Sequence, residues 1–256
     1  MSITVGITTF GRASTVLNTV RNLTDIPTLI NVNDGDRELQ SQLKASGHRT
    51  VVTDGPELFW QGMATLIRHS LTDWVLITSD EDPVIVEELP DLESFAEAKS
   101  AGVVAAPVYS SSLVKPWPSS WGNRIADENP LHPSHFHDIS GYISGTLIHR
   151  QTALKHLALI EELAPQNTYV LIYTVPALVA LMGMTRDAYT YPRAVTKMGK
   201  QLPGQQEVPG SDYWESKSRK TQKDHLEQFL NIITGMDPDY GAKLAEARVY
   251  EKRGWA

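Results

Sequence analysis

Short apolar runs alternate with stretches of helical spacing along the first half of the chain. Residues 3–8, Ile-Thr-Val-Gly-Ile-Thr, form a β-rich run that ends in Thr9-Phe10-Gly11-Arg12. Val16, Leu17, Val20 and Leu23 then recur at helical intervals over residues 13–23. Residues 28–32 make a second run, closed by the turn signal Asn33-Asp34-Gly35-Asp36. A helix is predicted over 37–45, a strand over 48–52 ended by Asp54-Gly55-Pro56, and a helix over 58–70. Residues 74–78 form a fourth strand that runs into Ser79-Asp80-Glu81-Asp82-Pro83. A helix over 87–101 follows, broken by Gly102 before a strand over 103–108.

This alternation predicts βαβ units and a mostly parallel central sheet flanked by helices. Ligands of such sheets bind beyond the carboxyl ends of the strands. That rim would carry Thr8, Thr9, Asp34, Asp36, Asp54 and residues 79–82, so the polar and acidic residues gather where a ligand is expected.

The second half is less regular. Residues 109–133 are rich in Ser, Pro and Trp and read as a long loop, the kind that in compact domains carries function. Residues 139–149 read as a strand with embedded glycines, 151–163 as a helix, and the apolar stretch 169–184 as a buried element. Within that stretch a helix over 176–184 has Pro176 in its first turn. A strand is predicted over 188–195, a flexible segment over 196–211, and a helical C-terminus with helices over 225–234 and 240–252.

Composition narrows the class. With 256 residues, 41% of them hydrophobic and 21% charged, the chain has material for one sizeable α/β core. A net charge of -7 gives no global attraction to nucleic acid or anionic membrane. The absence of cysteine excludes disulfides, thiolate metal sites and a cysteine nucleophile. No basic and apolar leader opens the chain, and residues 169–184 are too short to span a bilayer, so a cytoplasmic protein is expected.

The acidic triplet Asp80-Glu81-Asp82 is the strongest chemical signal. In an extended chain alternate side chains point the same way, so Asp80 and Asp82 are expected to address one point. Two carboxylates there repel unless a positive charge lies between them. Mn²⁺ or Mg²⁺ takes such oxygen ligands together with substrate phosphates, and acts as a Lewis acid on them. The plainer reading is a solvated acidic turn. Its place directly after the buried run Trp-Val-Leu-Ile-Thr favours the metal.

In this order the segments resemble the GT-A fold glycosyltransferases, especially the family 2-like group. The first strand leads into a Thr-and-Arg turn, here Thr8-Thr9-Phe10-Gly11-Arg12. The second strand ends on an acidic residue, here in Asn33-Asp34-Gly35-Asp36. A helix with a Gly and an Arg, here Gln61-Gly62-Met63-Ala64-Thr65-Leu66-Ile67-Arg68, precedes the D-x-D motif, here Asp80-Glu81-Asp82. A later strand of small residues lines the acceptor side, here residues 138–146 with Gly141 and Tyr142. The resemblance covers residues 3–195 and implies a single GT-A (Rossmann-like) domain over 1–256. Residues 1–108 would be a nucleotide-binding half, 109–195 an acceptor half, and 196–256 a flexible segment with C-terminal helices.

It further implies a metal-dependent hexosyl- or pentosyltransferase that uses a nucleotide-diphosphate sugar. Thr8, Thr9, Arg12, Asp34, Asp36, Gln61, Arg68, Ser79 and Asp80 would meet the nucleotide, and Asp80 and Asp82 the metal, Mn²⁺ or Mg²⁺. Arg193, Lys197 and Lys200 lie in a Gly- and Pro-containing segment that would close over the diphosphate. Trp117 and Trp121 in the long loop would stack on the acceptor, or pin the loop to the core. One departure stands out. Inverting members of the group carry a carboxylate base at the start of the helix after the acceptor strand, and residues 167–173 read Asn-Thr-Tyr-Val-Leu-Ile-Tyr. Asp138 and Glu161 are the alternative bases, unless the enzyme is retaining. The acceptor is a saccharide, a lipid-linked or small molecule, or hydroxylated bases of phage DNA. His132, His135 and His137 form a local cluster that reads better as a solvated loop than as a zinc site. Two rivals remain: a sugar-nucleotide nucleotidyltransferase, which expects a Gly-rich, lysine-bearing loop where residues 8–12 have one glycine and no lysine, and a non-catalytic nucleotide-sugar-binding protein.

Overall fold

Strand alternation sorts the apolar residues onto two faces of one sheet. Ile3, Val5 and Ile7 of the first strand enter one core with Leu76, Val104 and Leu147, while Val75, Ile77, Val103 and Ile148 enter the other. The computed structural model describes residues 2–53, 59–109, 130–199 and 219–246. β1 (Ile3–Thr9), β2 (Thr28–Val32), β3 (Arg49–Val52) and β4 (Trp74–Ser79) are connected through α1 (Ala13–Thr19), α2 (Arg37–Ala45) and α3 (Phe59–His69). These four strands are parallel. α4 (Leu89–Ala98) leads to β5 (Val103–Ala105), and β6 (Val108–Tyr109) follows.

Beyond the long loop come α5 (Phe136–Ser140), β7 (Thr146–His149), α6 (Arg150–Leu163), α7 (Thr168–Ile172), α8 (Thr174–Met182), β8 (Ala188–Thr190) and β9 (Thr196–Lys197). α9 (Arg219–Met236) and α10 (Pro238–Ala245) follow in the C-terminal part. The seven-stranded sheet runs β3-β2-β1-β4-β7-β5-β8, and β6 pairs with β9 in a small second sheet. β7 lies antiparallel to both β4 and β5, whereas β8 is parallel to β5. The fold is therefore α/β with a mostly parallel central sheet, flanked by helices on both faces, with a helical C-terminal region.

Residues 169–184 are buried as expected, but as two helices. α7 and α8 meet at Tyr173, and α8 begins at Thr174, ahead of Pro176. Every residue of α8 is buried, so neighbouring helices cover it all round. The strand expected over 139–149 is a correction. Phe136–Ser140 is helical, and only Thr146–His149 is strand. Pro133 opens the helical turn that leads in, and the His132 ring caps it at the Ser134 amide. Gly145 then takes φ +87°, and a Cβ there would lie 2.8 Å from the Ala106 carbonyl, so the strand cannot extend back through it with an L side chain. The strand expected over 103–108 is split: Val103–Ala105 stays in the main sheet, and Val108 pairs with β9 together with Tyr109.

His48 links the start of β3 to β2: its Nδ1 lies 2.7 Å from the Thr28 hydroxyl, and the side chain is 4% exposed. Burial holds its pKa below the ordinary 6.5. The unfolded chain therefore binds a proton on His48 more readily than the folded one, and acidification below 6.5 removes stability. Urea midpoints should fall between about pH 7.5 and about pH 5.5, and His48→Asn should show a smaller fall.

Candidate active site at the carboxyl rim of the sheet

The ends of β1, β2, β3 and β4 converge on one rim. Because β7 runs the other way, the residues that precede it arrive at the same rim. Thr9 ends β1, Asp34 and Asp36 follow β2, residues 79–82 follow β4, and Tyr142 and Ser144 lead into β7.

The extended geometry expected for the acidic triplet is corrected here. The strand stops at Ser79, the Asp82 amide donates back to the Ser79 carbonyl (3.2 Å), and the Thr78 hydroxyl donates to the Asp82 carbonyl (2.9 Å). Asp80 and Asp82 thus sit on a turn and face different partners. Asp80 faces β1: the Thr9 hydroxyl donates to Oδ2 at 3.0 Å and Arg12 Nη1 to Oδ1 at 3.3 Å. The same Nη1 lies 3.7 Å from Glu81. Burial pushes the Asp80 carboxyl above its ordinary range, and Arg12 pulls it back. Glu81 is raised in the same way, by burial, with Arg12 opposing and the neighbouring acids adding. Among the described residues Arg12 Nε is buried without a hydrogen-bond partner.

Asp82 faces the other way and is fully buried. Tyr142 and Ser144 donate to its Oδ2 at 2.8 and 2.6 Å, and the Gly199 amide to its Oδ1 at 2.8 Å. Burial and the Asp82 charge push the Tyr142 hydroxyl well above its ordinary pKa, so it stays a donor. The backbone at Gly199 presses directly onto the turn. A Cβ there would lie 1.5 Å from the Glu81 carbonyl oxygen, which excludes every other residue from this contact.

The other nominated residues divide by location. Thr8 packs under α3, where Gly62 leaves room: a Cβ on Gly62 would sit 3.0 Å from Thr8 Oγ1. Gln61, in the first turn of α3, is half-buried near that point. Asp34 ties two turns together by accepting from the Gly11 amide (2.6 Å) and the Asp36 amide (3.1 Å). Asp36 caps α2 at the Leu39 amide (2.8 Å), so its carboxylate is spent on the helix. Ser79 Oγ lies 3.4 Å from Asp80. Gly141 ends α5, one residue before Tyr142. Lys197 is exposed on β9 beside the acidic turn, its amide donating to the Pro83 carbonyl (2.9 Å). Asp138 lies on α5.

Three residues stand apart from the acidic turn. Arg68 and Glu161 form a bidentate pair at 2.5 Å. Arg150 donates to the Arg68 carbonyl (3.0 Å) and Arg49 to the His69 carbonyl (3.2 Å). Arg49 opens β3 and Arg150 follows the end of the antiparallel β7, so this pair belongs to the end of the sheet opposite the rim. That corrects Arg68 as a nucleotide contact and Glu161 as a base. Arg193 is held by Asp91 (2.5 Å), Glu88 (3.1 Å) and the Tyr191 hydroxyl, a surface network that ties residue 193 to α4. Trp117, Trp121 and Lys200 lie outside the described residues. The histidine cluster does not converge: His132 caps a turn, and His137 is buried with Nδ1 2.8 Å from the Tyr169 hydroxyl.

Two contributors were missed by sequence reasoning. Ser144 sat inside a stretch read for its glycines. Gly199 lies 117 residues from Asp82, and no local pattern announces that contact. Among the described residues, no three acidic or histidine side chains converge as a ready-made metal cage. The donor chemistry still fits Mg²⁺ or Mn²⁺. The turn supplies hard carboxylate oxygens, and Asp82 accepts three hydrogen bonds where a carboxylate has about four acceptor positions.

No protein-family model and no curated protein sequence matches the chain. Solved structures do match. S. aureus TarS 1–349 in complex with UDP-GlcNAc aligns with a TM-score of 0.69 at 13% identity, over 96% of this chain and 71% of that one. The same protein in complex with UDP gives 0.59 at 13% identity, over 100% of this chain and 78% of that one. The mannosyltransferase PcManGT from Pyrobaculum calidifontis, in complex with GDP-Man and Mn²⁺, gives 0.58 at 13% identity, over 97% and 69%. At such identity the likeness is one of fold, and the chain has a GT-A-like fold. Among the described residues no helix is long and apolar enough to cross a membrane.

The Arg12 to Asp80 contact joins two mostly buried side chains, 13% and 6% exposed. Arg12→Met leaves Asp80 buried without its cation and should lower unfolding free energy by about 3 kcal/mol. Arg12→Lys should recover part of the loss, as read from urea denaturation.

Proposed function

We propose that this protein is a glycosyltransferase that moves a hexosyl or pentosyl group from a nucleotide-diphosphate sugar to an acceptor hydroxyl. The observation that carries this reading is the rim constellation: Asp80 with Thr9 and Arg12 on one side of the acidic turn, and Asp82 with Tyr142 and Ser144 on the other. The shared fold supports it, since the solved structures named above hold UDP-GlcNAc and GDP-Man.

In this reading Thr8, Thr9, Gln61 and Asp34 line the base and ribose end of the donor. Arg12, beside Asp80, and the exposed Lys197 balance diphosphate charge. Asp82 would hold Mg²⁺ or Mn²⁺, which offsets the charge that builds on the leaving diphosphate, and Asp80, nominated with it, faces Arg12 on the nucleotide side of the turn. The acceptor oxygen bonds to the anomeric carbon while the bond from that carbon to the diphosphate oxygen breaks, and the nucleoside diphosphate leaves with the electron pair. The acceptor proton passes to a base, for which Asp138 on α5, four positions before Tyr142 in the sequence, is the candidate. A saccharide, lipid-linked or small-molecule hydroxyl is the acceptor class this chemistry serves.

A thermal-shift series with nucleoside diphosphates, with and without Mn²⁺, tests the donor half. A cognate nucleotide at about a hundred times its Kd should stabilise the fold by about 2.7 kcal/mol, and more strongly with the ion present. No shift with any nucleotide would sink the reading. The double variant Asp80→Ala with Asp82→Ala should release no sugar from the cognate donor while remaining folded, and undiminished release would overturn the metal assignment.

A further inference from the structure

The two oxygens of Asp82 are not equivalent. Oδ2 accepts from both Tyr142 and Ser144, at 2.8 and 2.6 Å, and so fills its usual capacity of two. Among the described residues Oδ1 accepts from the Gly199 amide alone, at 2.8 Å. The Ser144 hydroxyl is itself fixed. It accepts from the Ser79 amide at 2.9 Å, and its single proton is then committed to Asp82. Both Ser144 and Asp82 are fully buried, so no solvent competes for these bonds. The orientation of the Asp82 carboxylate is thereby set from β4 and from the approach to β7 at once.

Gly199 is held onto the turn by more than this one bond. The Lys197 amide donates to the Pro83 carbonyl (2.9 Å), the Met198 amide to the Tyr109 carbonyl (2.7 Å), and Thr196 bridges to Val84. The Gly199 backbone then crosses Glu81 so closely that a Cβ would overlap its carbonyl, at 1.5 Å from oxygen and 2.4 Å from carbon. The amide of Gly199 therefore occupies the one Asp82 oxygen with acceptor capacity to spare.

We propose that Ser144 is a positioning residue that locks Asp82 Oδ2 and presents Oδ1 to the cation of the donor diphosphate, and that the Gly199 amide holds Oδ1 until a divalent ion takes it. The inference rests on the glycosyltransferase reading and goes beyond it: it names which oxygen is used and which backbone group competes for it.

Calorimetric titration of the full chain with Mn²⁺ alone tests this, with metal-free nucleotide diphosphate binding measured beside it. Ser144→Ala frees the carboxylate to rotate and should weaken Mn²⁺ binding about tenfold, on the scale of one charge-assisted hydrogen bond. Its metal-free nucleotide affinity should stay unchanged, an outcome that general damage to the fold would not give. Tyr142→Phe removes the other Oδ2 donor, should act in the same direction, and serves if Ser144→Ala does not fold. Gly199→Ala forces the backbone off Glu81 and should tighten Mn²⁺ binding at least about threefold while lowering the metal-free melting temperature. Unchanged Mn²⁺ affinity in the folded Ser144 or Tyr142 variant, or weaker binding by Gly199→Ala, overturns the proposal. Nucleotide binding by the wild type without any Mn²⁺ binding also overturns it and leaves the glycosyltransferase reading standing. Failure to bind either ligand removes both.

Discussion

β7 pairs with β4 in the opposite sense, Ile77 facing Thr146 and Trp74 facing His149, and this antiparallel ladder decides which residues share the rim. A parallel strand in that position would carry its preceding loop to the far end of the sheet. Because the strand is reversed, Tyr142 and Ser144 arrive beside the end of β4 and take hold of Asp82. The reversal also fixes what lies opposite. β7 ends where the parallel strands begin, so Arg150 and the pair of Arg68 with Glu161 gather there, away from the acidic turn.

Buried carboxylates are costly unless their charge is met, and the rim meets the two aspartates differently. Asp80 is answered by the Thr9 hydroxyl at the end of β1 and by the Arg12 guanidinium of the turn that follows. Among the described residues Asp82 is answered by neutral donors, two hydroxyls from the approach to β7 and an amide from the segment after β9. The first arrangement suits a group that exchanges partners with a charged ligand. The second suits a group whose direction must be held. One acidic turn thus combines an adaptable carboxylate with a fixed one, and a diphosphate with its cation asks for both.

The early strands and helices were legible because each obeys one period. In β1 the residues Ile3, Val5 and Ile7 face one core, and α2 begins where Asp36 caps it and ends near Gly47, so local signals suffice. The stretch before β7 was harder. Its mixed Ile, Ser, Gly and Tyr pattern suits a strand or a helical turn equally, and the helix at Phe136–Ser140 was decided by Pro133, the His132 cap and packing on α8. Arg68 looked suitable as a nucleotide contact for its residue type, but its place in the last turn of α3 carries it to the wrong end of the sheet.

By itself, the sequence determined the α/β class, a mostly parallel sheet and the position of Asp80, Glu81 and Asp82 at the end of a buried strand. Those features depend on hydrophobic period and turn chemistry, which are local. Tertiary structure alone decided that Asp80 and Asp82 look in different directions, that Ser144 and Gly199 share the second of them, and that Glu161 stands apart. These outcomes depend on contacts between residues up to 117 positions apart, brought together by one reversed strand and one close backbone approach, and no local pattern encodes such a meeting.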